Sequence, residues 1–157
     1  AIYDEMLTVR SQNNTAASLV QAEKLFSHYP NTVYGQMAAF MLARANVVQK
    51  DYPEAEKHLN WVLEHGKAPA LRQIARLRLA RIQIAEDKPE LALTTLKKVD
   101  DKSFDGLTDE VRGDAYLAAK DTIKAREAYK LALSELPNAE EIRPLLQMKY
   151  DNLSTLN

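Results

Sequence analysis

The side chains with the clearest potential for chemistry are three histidines, His28, His58 and His65. His58 and His65 are seven residues apart, so one helical face can carry both, but no carboxylate–histidine motif with metalloenzyme spacing surrounds them. We therefore interpret all three as solvated surface residues. The chain also contains no cysteine, no glycine-rich phosphate loop and no GxSxG motif. The sequence predicts a protein that is not an enzyme.

A short acidic segment resembles a calcium-binding loop over part of its length. Residues Asp101 to Asp109, with Gly106 at the sixth place, match the first nine positions of an EF-hand loop. The twelfth position should be a bidentate glutamate, and here it is Arg112, whose charge repels a cation. We interpret the segment as an acidic loop between repeats, and we predict neither a metal site nor a cofactor.

Length and charge narrow the class of protein further. The 157 residues carry a formal net charge of −1, with Lys and Arg scattered along the chain, which argues against nucleic-acid binding. The longest apolar run, Met37–Ala43, is far shorter than the roughly 20 residues that span a bilayer. The chain begins at an alanine without a basic and apolar leader, so we expect a piece of a longer protein. We predict one domain over residues 1–157.

The elements that position these residues are predicted to be helices. Glycine and proline are scarce, with 4 and 6 occurrences, and no apolar–polar alternation extends over the length of a strand. The predicted helices are Ile2–Ser11, Ala16–Tyr29, Thr32–Gln49, Pro53–His65, Pro69–Glu86, Pro89–Val99, Leu107–Ala119, Thr122–Glu135 and Arg143–Ser154. The sequence therefore predicts an all-α protein.

These helices recur as pairs with a period near 34 residues. Four alanines are separated by 33, 37 and 33 residues. A large apolar residue lies four positions after each alanine, and a small residue lies twelve positions before each of the last three alanines. The three sets are Ala22, Ala55, Ala92 and Ala125; Phe26, Leu59, Leu96 and Tyr129; and Ala43, Ala80 and Gly113. This pattern is typical of tetratricopeptide (TPR) repeats. We predict a TPR-like α-solenoid of antiparallel helix pairs, with about three full repeats, flanking half-units and a C-terminal capping helix.

A solenoid of this kind presents a concave face lined by the first helix of each pair. The residues predicted to face a protein partner there are Met37, Phe40, Arg44, Val47, Leu77, Arg81, Ile84, Asp114 and Leu117. Apolar residues mixed with arginine suit an extended or helical protein segment. The alternative is that several of them, Leu77 and Ile84 especially, pack against neighbouring helices.

Two further features allow two interpretations each. Trp61 could anchor a partner, since aromatic residues are enriched in binding hot spots, but we favour packing under the long connection Glu64–Ala70. The C-terminal apolar residues could form a cap on the last repeat or an interface, and we favour the cap; they are Leu145, Leu146, Met148 and Leu153.

Five segments carry a resemblance to a known family. They are Asn31–Gly35, Leu77–Arg81, Arg112–Ala115, Gln147–Lys149 and Asn152–Ser154, of which the C-terminal two are the most specific. With them the chain resembles the YfgM-like ancillary subunits of the bacterial SecYEG translocon, along nearly its whole length.

The resemblance implies a single-pass protein of the bacterial inner membrane with a TPR-like domain on the periplasmic side. Its implied partners are the SecYEG translocon, the membrane-anchored chaperone PpiD and unfolded exported chains. We therefore expect a non-catalytic binding module in protein export, which contacts the membrane only through an N-terminal anchor outside these residues. The alternative is a soluble TPR scaffold of an unrelated complex, without such an anchor.

Overall fold

The computed structural model describes the backbone of residues 2–135 and 143–154, and side chains within 15–135 and 144–153. In these ranges the chain forms eight α-helices, a 3-10 turn at Lys102–Phe104 and no β-strand. The helices are α1 (Ile2–His28), α2 (Val33–Val48), α3 (Tyr52–His65), α4 (Pro69–Ala85), α5 (Pro89–Leu96), α6 (Asp105–Ala118), α7 (Thr122–Glu135) and α8 (Arg143–Ser154). The all-α prediction is confirmed.

The chain divides into two compact units. Unit 1 comprises residues 1–67 with helices α1 to α3, and unit 2 comprises residues 68–157 with helices α4 to α8. No helix in the described part of the chain combines the length and the apolar character needed to cross a bilayer.

The first helix differs from the prediction. The expected break at Asn13-Asn14 is wrong, because α1 runs without interruption from Ile2 to His28. The segment contains neither glycine nor proline, and asparagine in a helix interior costs only a few tenths of a kcal/mol relative to better helix formers. A pair of asparagines is therefore a weak stop signal.

Three helices, α2, α3 and α7, begin at a residue whose side chain caps the first turn. Thr32 accepts a hydrogen bond from the Gly35 amide at 3.0 Å, and Asp51 accepts one from the Glu54 amide at 3.4 Å. Asp121 caps α7 in the same way through the Lys124 amide at 3.1 Å. In α5, by contrast, Lys88 occupies the N-cap position, without a side-chain cap bond.

Identical turns end the first helix of three pairs. Lys50, Asp87 and Lys120 each adopt a left-handed backbone, with φ of 59°, 60° and 64°. The amide that follows each of them bonds back five residues to a helix carbonyl, at 2.8, 2.8 and 2.9 Å. This is the Schellman motif, which satisfies carbonyls left free at a helix end. Because the turns recur with the spacing of Ala55, Ala92 and Ala125, the repeated helix pairs are confirmed.

Small residues allow the paired helices to approach closely. Ala55, Ala80, Ala92 and Ala125 are fully buried, and Ala22 and Ala43 nearly so. In unit 2, Ala80 and Ala92 share one apolar cluster with Leu77, Leu96, Val111 and Ala115.

The C-terminal helix closes the last pair. Leu146 and Leu153 of α8 are buried with Ala125, Tyr129 and Ala132 of α7, whereas Leu145 and Met148 are exposed. The predicted cap is therefore confirmed, formed by two of the four apolar residues.

Candidate functional site

Four of the predicted partner-facing residues lie on α2 in unit 1. Met37, Arg44 and Val47 are exposed, whereas Phe40 is buried. Because Phe40 is buried, its side chain is not available to a partner. The other three remain predicted contacts.

The exposed surface of α2 is larger than the sequence indicated. Tyr34, Met37, Met41 and Val48 are 73%, 54%, 44% and 77% exposed, and with Arg44 they recur every three or four residues. This spacing places them on one side of the helix. We call these five residues the α2 face. Sequence reasoning missed Met41 and Val48, although their spacing from Met37 and Arg44 is visible in the sequence.

The other five predicted residues lie in unit 2, on α4 and α6. Leu77 is buried in the core, and Ile84 packs against that core. These two take the packing role that we left open as an alternative. Arg81 is half exposed and pairs with Asp114 at 3.5 Å, while Leu117 is exposed.

Asp114 is the centre of a charged network in unit 2. Its carboxylate accepts a hydrogen bond from the Tyr129 hydroxyl at 2.5 Å and from Lys149 Nζ at 3.0 Å. Lys149 also bonds Glu110, at 3.2 Å. Burial and the Asp114 carboxylate raise the pKa of the Tyr129 hydroxyl well above its ordinary value of 10. Ion pairs and hydrogen bonds of this network connect α4, α6, α7 and α8, so the Asp114 carboxylate already has partners within the protein.

The roles of Lys149, Glu110 and Tyr129 were not foreseen as a network. Glu110 and Lys149 are 39 residues apart, and only the packing of α8 brings them together. Two features of the sequence could have indicated the network. One is the segment Gln147–Lys149, which contributes to the family resemblance, and the other is the hydroxyl group of Tyr129 at a position where the other repeats have Phe or Leu.

The acidic segment uses its carboxylates for internal bonds. Asp101 accepts hydrogen bonds from the Ser103 amide at 2.9 Å and hydroxyl at 2.7 Å, and these bonds lower its pKa. Asp109 pairs with Arg112. Among the described residues, no three His, Cys, Asp or Glu side chains are grouped so that they could hold a metal ion.

An aromatic cluster in unit 1 corrects the interpretation of His58. Its ring lies 5.3 Å from that of Phe26, and Nδ1 lies 2.9 Å from Asn46 Oδ1, so His58 is half buried rather than solvated. Burial lowers its pKa below the usual 6.5. His65 is exposed but stacks on Trp61, with ring centroids 3.6 Å apart.

Trp61 belongs to the same cluster. It contacts Phe26 edge to face at 5.6 Å as well as His65, and it is half buried. Both contacts lie within unit 1, and of the two partners only His65 belongs to the connection Glu64–Ala70 under which we expected Trp61 to pack.

Known proteins are similar to this chain over nearly its whole length. A family model described as a tetratricopeptide repeat-like domain covers residues 1–155. The ancillary SecYEG translocon subunit of Neisseria gonorrhoeae is 33% identical over 146 residues, which are 92% of this chain and 70% of that protein. The proteins of the same name from Buchnera aphidicola (subsp. Schizaphis graminum) and Escherichia coli K12 are 25% and 30% identical, over 96% and 87% of this chain. The chain spans 76% and 66% of their lengths.

These matches agree with the repeated helix pairs and their recurring turns. They confirm the TPR-like fold, and they confirm the resemblance inferred from the five sequence segments. The chain belongs to the family of ancillary SecYEG translocon subunits, and its residues 1–155 match a tetratricopeptide repeat-like domain.

Proposed function

We propose that this protein is a non-catalytic binding module in bacterial protein export, associated with the SecYEG translocon. The observation that carries the proposal is family membership, since the relatives over most of the chain are named ancillary SecYEG translocon subunits. The apolar α2 face supports it, because apolar patches rimmed by polar residues mark protein-interaction sites.

The finer parts of the proposal concern partners and location. The domain, taken as one TPR-like domain of 157 residues, links the translocon to a PpiD-like chaperone and to emerging exported chains. It lies on the periplasmic side of the inner membrane, tethered by an N-terminal anchor that precedes these residues. Tethering raises the effective concentration of the module near the channel, so modest affinities suffice. The exposed predicted residues Met37, Arg44, Val47, Arg81 and Leu117 are the proposed contacts.

Co-purification from envelope membranes tests this proposal. Tagged full-length protein is expected to recover SecYEG subunits and the PpiD-like chaperone. A Met37→Lys/Arg44→Glu variant is expected to recover at least one of these partners about fivefold less efficiently, because surface anchors dominate binding energy.

An Ile123→Lys variant is the matched control, because Ile123 is exposed and apolar but lies on α7 of unit 2. It should recover both partners normally. Recovery of neither partner by the unmodified protein would contradict the proposed function, whereas normal recovery by the folded double variant would remove α2 from the contact surface.

A further inference from the structure

The α2 face combines four apolar side chains with one charge. Arg44 is the only charged residue in the sixteen residues of α2. Among the described side chains, no acidic group lies within ion-pairing distance of Arg44. A partner that covers this face therefore surrounds a guanidinium with apolar atoms. An unpaired charge in such a place is costly, so the partner must supply a carboxylate.

The backbone of the partner is limited by the same surface. The only polar side-chain groups of the α2 face are the Tyr34 hydroxyl and the Arg44 guanidinium. An extended segment lying there would bury amide and carbonyl groups without partners, at about 1–3 kcal/mol for each. A helix satisfies these groups internally. The face therefore favours a helical partner over an extended one.

The dimensions and chemistry of the face also suit a helix. From Tyr34 to Val48 it extends about 21 Å, with spacings of three and four residues that match the ridges of a packed helix. Met37 and Met41 provide flexible, polarisable side chains, which adapt to different apolar sequences.

A second copy of α2 fits poorly as the occupant. The helix contains no acidic residue, so a pair of α2 faces would bring two arginines and no carboxylate into one apolar interface. We propose that the α2 face binds an amphipathic helix of a different protein, one whose apolar residues recur every three or four positions and which carries a carboxylate opposite Arg44. This inference rests on the proposed function as a binding module and defines the chemistry of one partner.

Binding of a synthetic peptide to the full chain tests the inference. The probe is a fluorescein-labelled amphipathic helical peptide with leucines at helical spacing and one central glutamate, and fluorescence anisotropy reports binding. A scrambled peptide of the same composition is the control for amphipathicity. The structure predicts binding of the first peptide and at least about tenfold weaker binding of the scrambled one.

Two variants locate the site. Met37→Gln/Met41→Gln is expected to weaken binding about tenfold, whereas Ile123→Gln/Leu131→Gln, which changes exposed apolar residues of α7, should leave it unchanged. Arg44→Glu should weaken binding of the glutamate peptide and restore it for a peptide with lysine in that place, by about threefold to tenfold. Circular dichroism melts confirm that each variant is folded.

Several outcomes overturn the inference: no binding of the amphipathic peptide, equal binding of the scrambled one, an unaffected Met37/Met41 variant, or no charge preference at Arg44. Association of the chain with phosphatidylcholine vesicles in place of the peptide would also overturn it. If the inference fails but translocon subunits still co-purify, the proposed function stands. If the peptide binds as expected but no export protein is recovered, the proposed function fails alone.

Discussion

Gly113 of α6 lies directly beneath the ring of Tyr129 on α7. A Cβ atom added at Gly113 would lie 2.9 Å from Tyr129 Cζ and closer still to two other ring atoms, which is inside contact distance. The ring cannot easily move, because Tyr129 is fully buried and its hydroxyl is bonded to Asp114. At this position the closest approach of the helix pair requires glycine, whereas Ala43 and Ala80 occupy the corresponding places in the other pairs.

Gly113→Ala is therefore expected to destabilise the protein by about 1–2 kcal/mol. Because the buried ring cannot give way, the overpacking is expected to cost about 2–3 kcal/mol, the upper part of the usual range, and the better helix propensity of alanine offsets about 1 kcal/mol of it. Urea denaturation measures the change. Tyr129→Leu removes the ring that the added Cβ would contact. The double variant Gly113→Ala/Tyr129→Leu should therefore lose less free energy of unfolding than the two single variants lose together. An unchanged or raised free energy of unfolding in Gly113→Ala would contradict the predicted clash.

At the scale of elements, the turn between the two helices of each of three pairs places a residue other than glycine in a left-handed backbone conformation. Lys50, Asp87 and Lys120 hold left-handed backbones, which cost a residue with a Cβ roughly 1–2 kcal/mol. Glycine is the usual residue at this point of a Schellman motif. Substituting glycine in these three turns should therefore relieve the strain and stabilise each helix pair without changing the fold.

We expect Lys50→Gly and Lys120→Gly to raise the free energy of unfolding by about 0.5–1 kcal/mol each, since glycine removes the strain. Asp87→Gly should gain least, because aspartate tolerates this conformation better than lysine. Lys50→Ala keeps the Cβ and is the control that should give no gain. Thermal melts compare the variants. Loss of stability in the Lys120→Gly protein would show that the turn depends on the lysine side chain.

At the scale of the whole molecule, the two units carry groups whose pKa values are shifted in opposite directions. In unit 1, burial lowers the pKa of His58 below 6.5. In unit 2, partial loss of hydration and the neighbouring Asp109 carboxylate raise the pKa of Glu135, an exposed side chain, from 4.5 to about 7. The folded protein therefore resists protonation at His58 and retains a proton at Glu135.

Acidification should weaken unit 1 and strengthen unit 2. Below pH 6.5 the unfolded chain gains a proton at His58 that the folded state excludes, so stability falls. Between pH 4.5 and about 7 the folded state keeps a proton at Glu135 that the unfolded chain loses, so lowering the pH adds stability. Hydrogen exchange of the full chain at about pH 5 and about pH 8, corrected for intrinsic rates, measures protection in each unit.

The variants His58→Gln and Glu135→Gln isolate the two groups. Each should remove the pH response of its own unit and leave that of the other unchanged. The same pH response in the wild type and in its matching variant would assign the effect to other groups.

The comparison of α1 with the later helices shows where local signals suffice. The bounds predicted for α7 and α8 match the structure, and those of α4 differ by one residue, because capping residues and prolines mark those ends. The pair Asn13-Asn14 lacks such a signal, and the helix continues through it. Periodic alanines likewise located the helix pairs, since close packing demands small residues wherever two backbones approach.

The sequence by itself determined the all-α class and the repeat period, because these depend on local propensity and on residue types at fixed spacing, and five segments of the sequence carried the resemblance to the family. Only the tertiary structure decided which residues of the predicted face are accessible. Phe40 and Leu77 have the same helical spacing as exposed residues, and packing of the neighbouring helices buries them. The link of Lys149 to Glu110 and Asp114 was also beyond the sequence, because contacts across more than 30 residues depend on how the helices fold together.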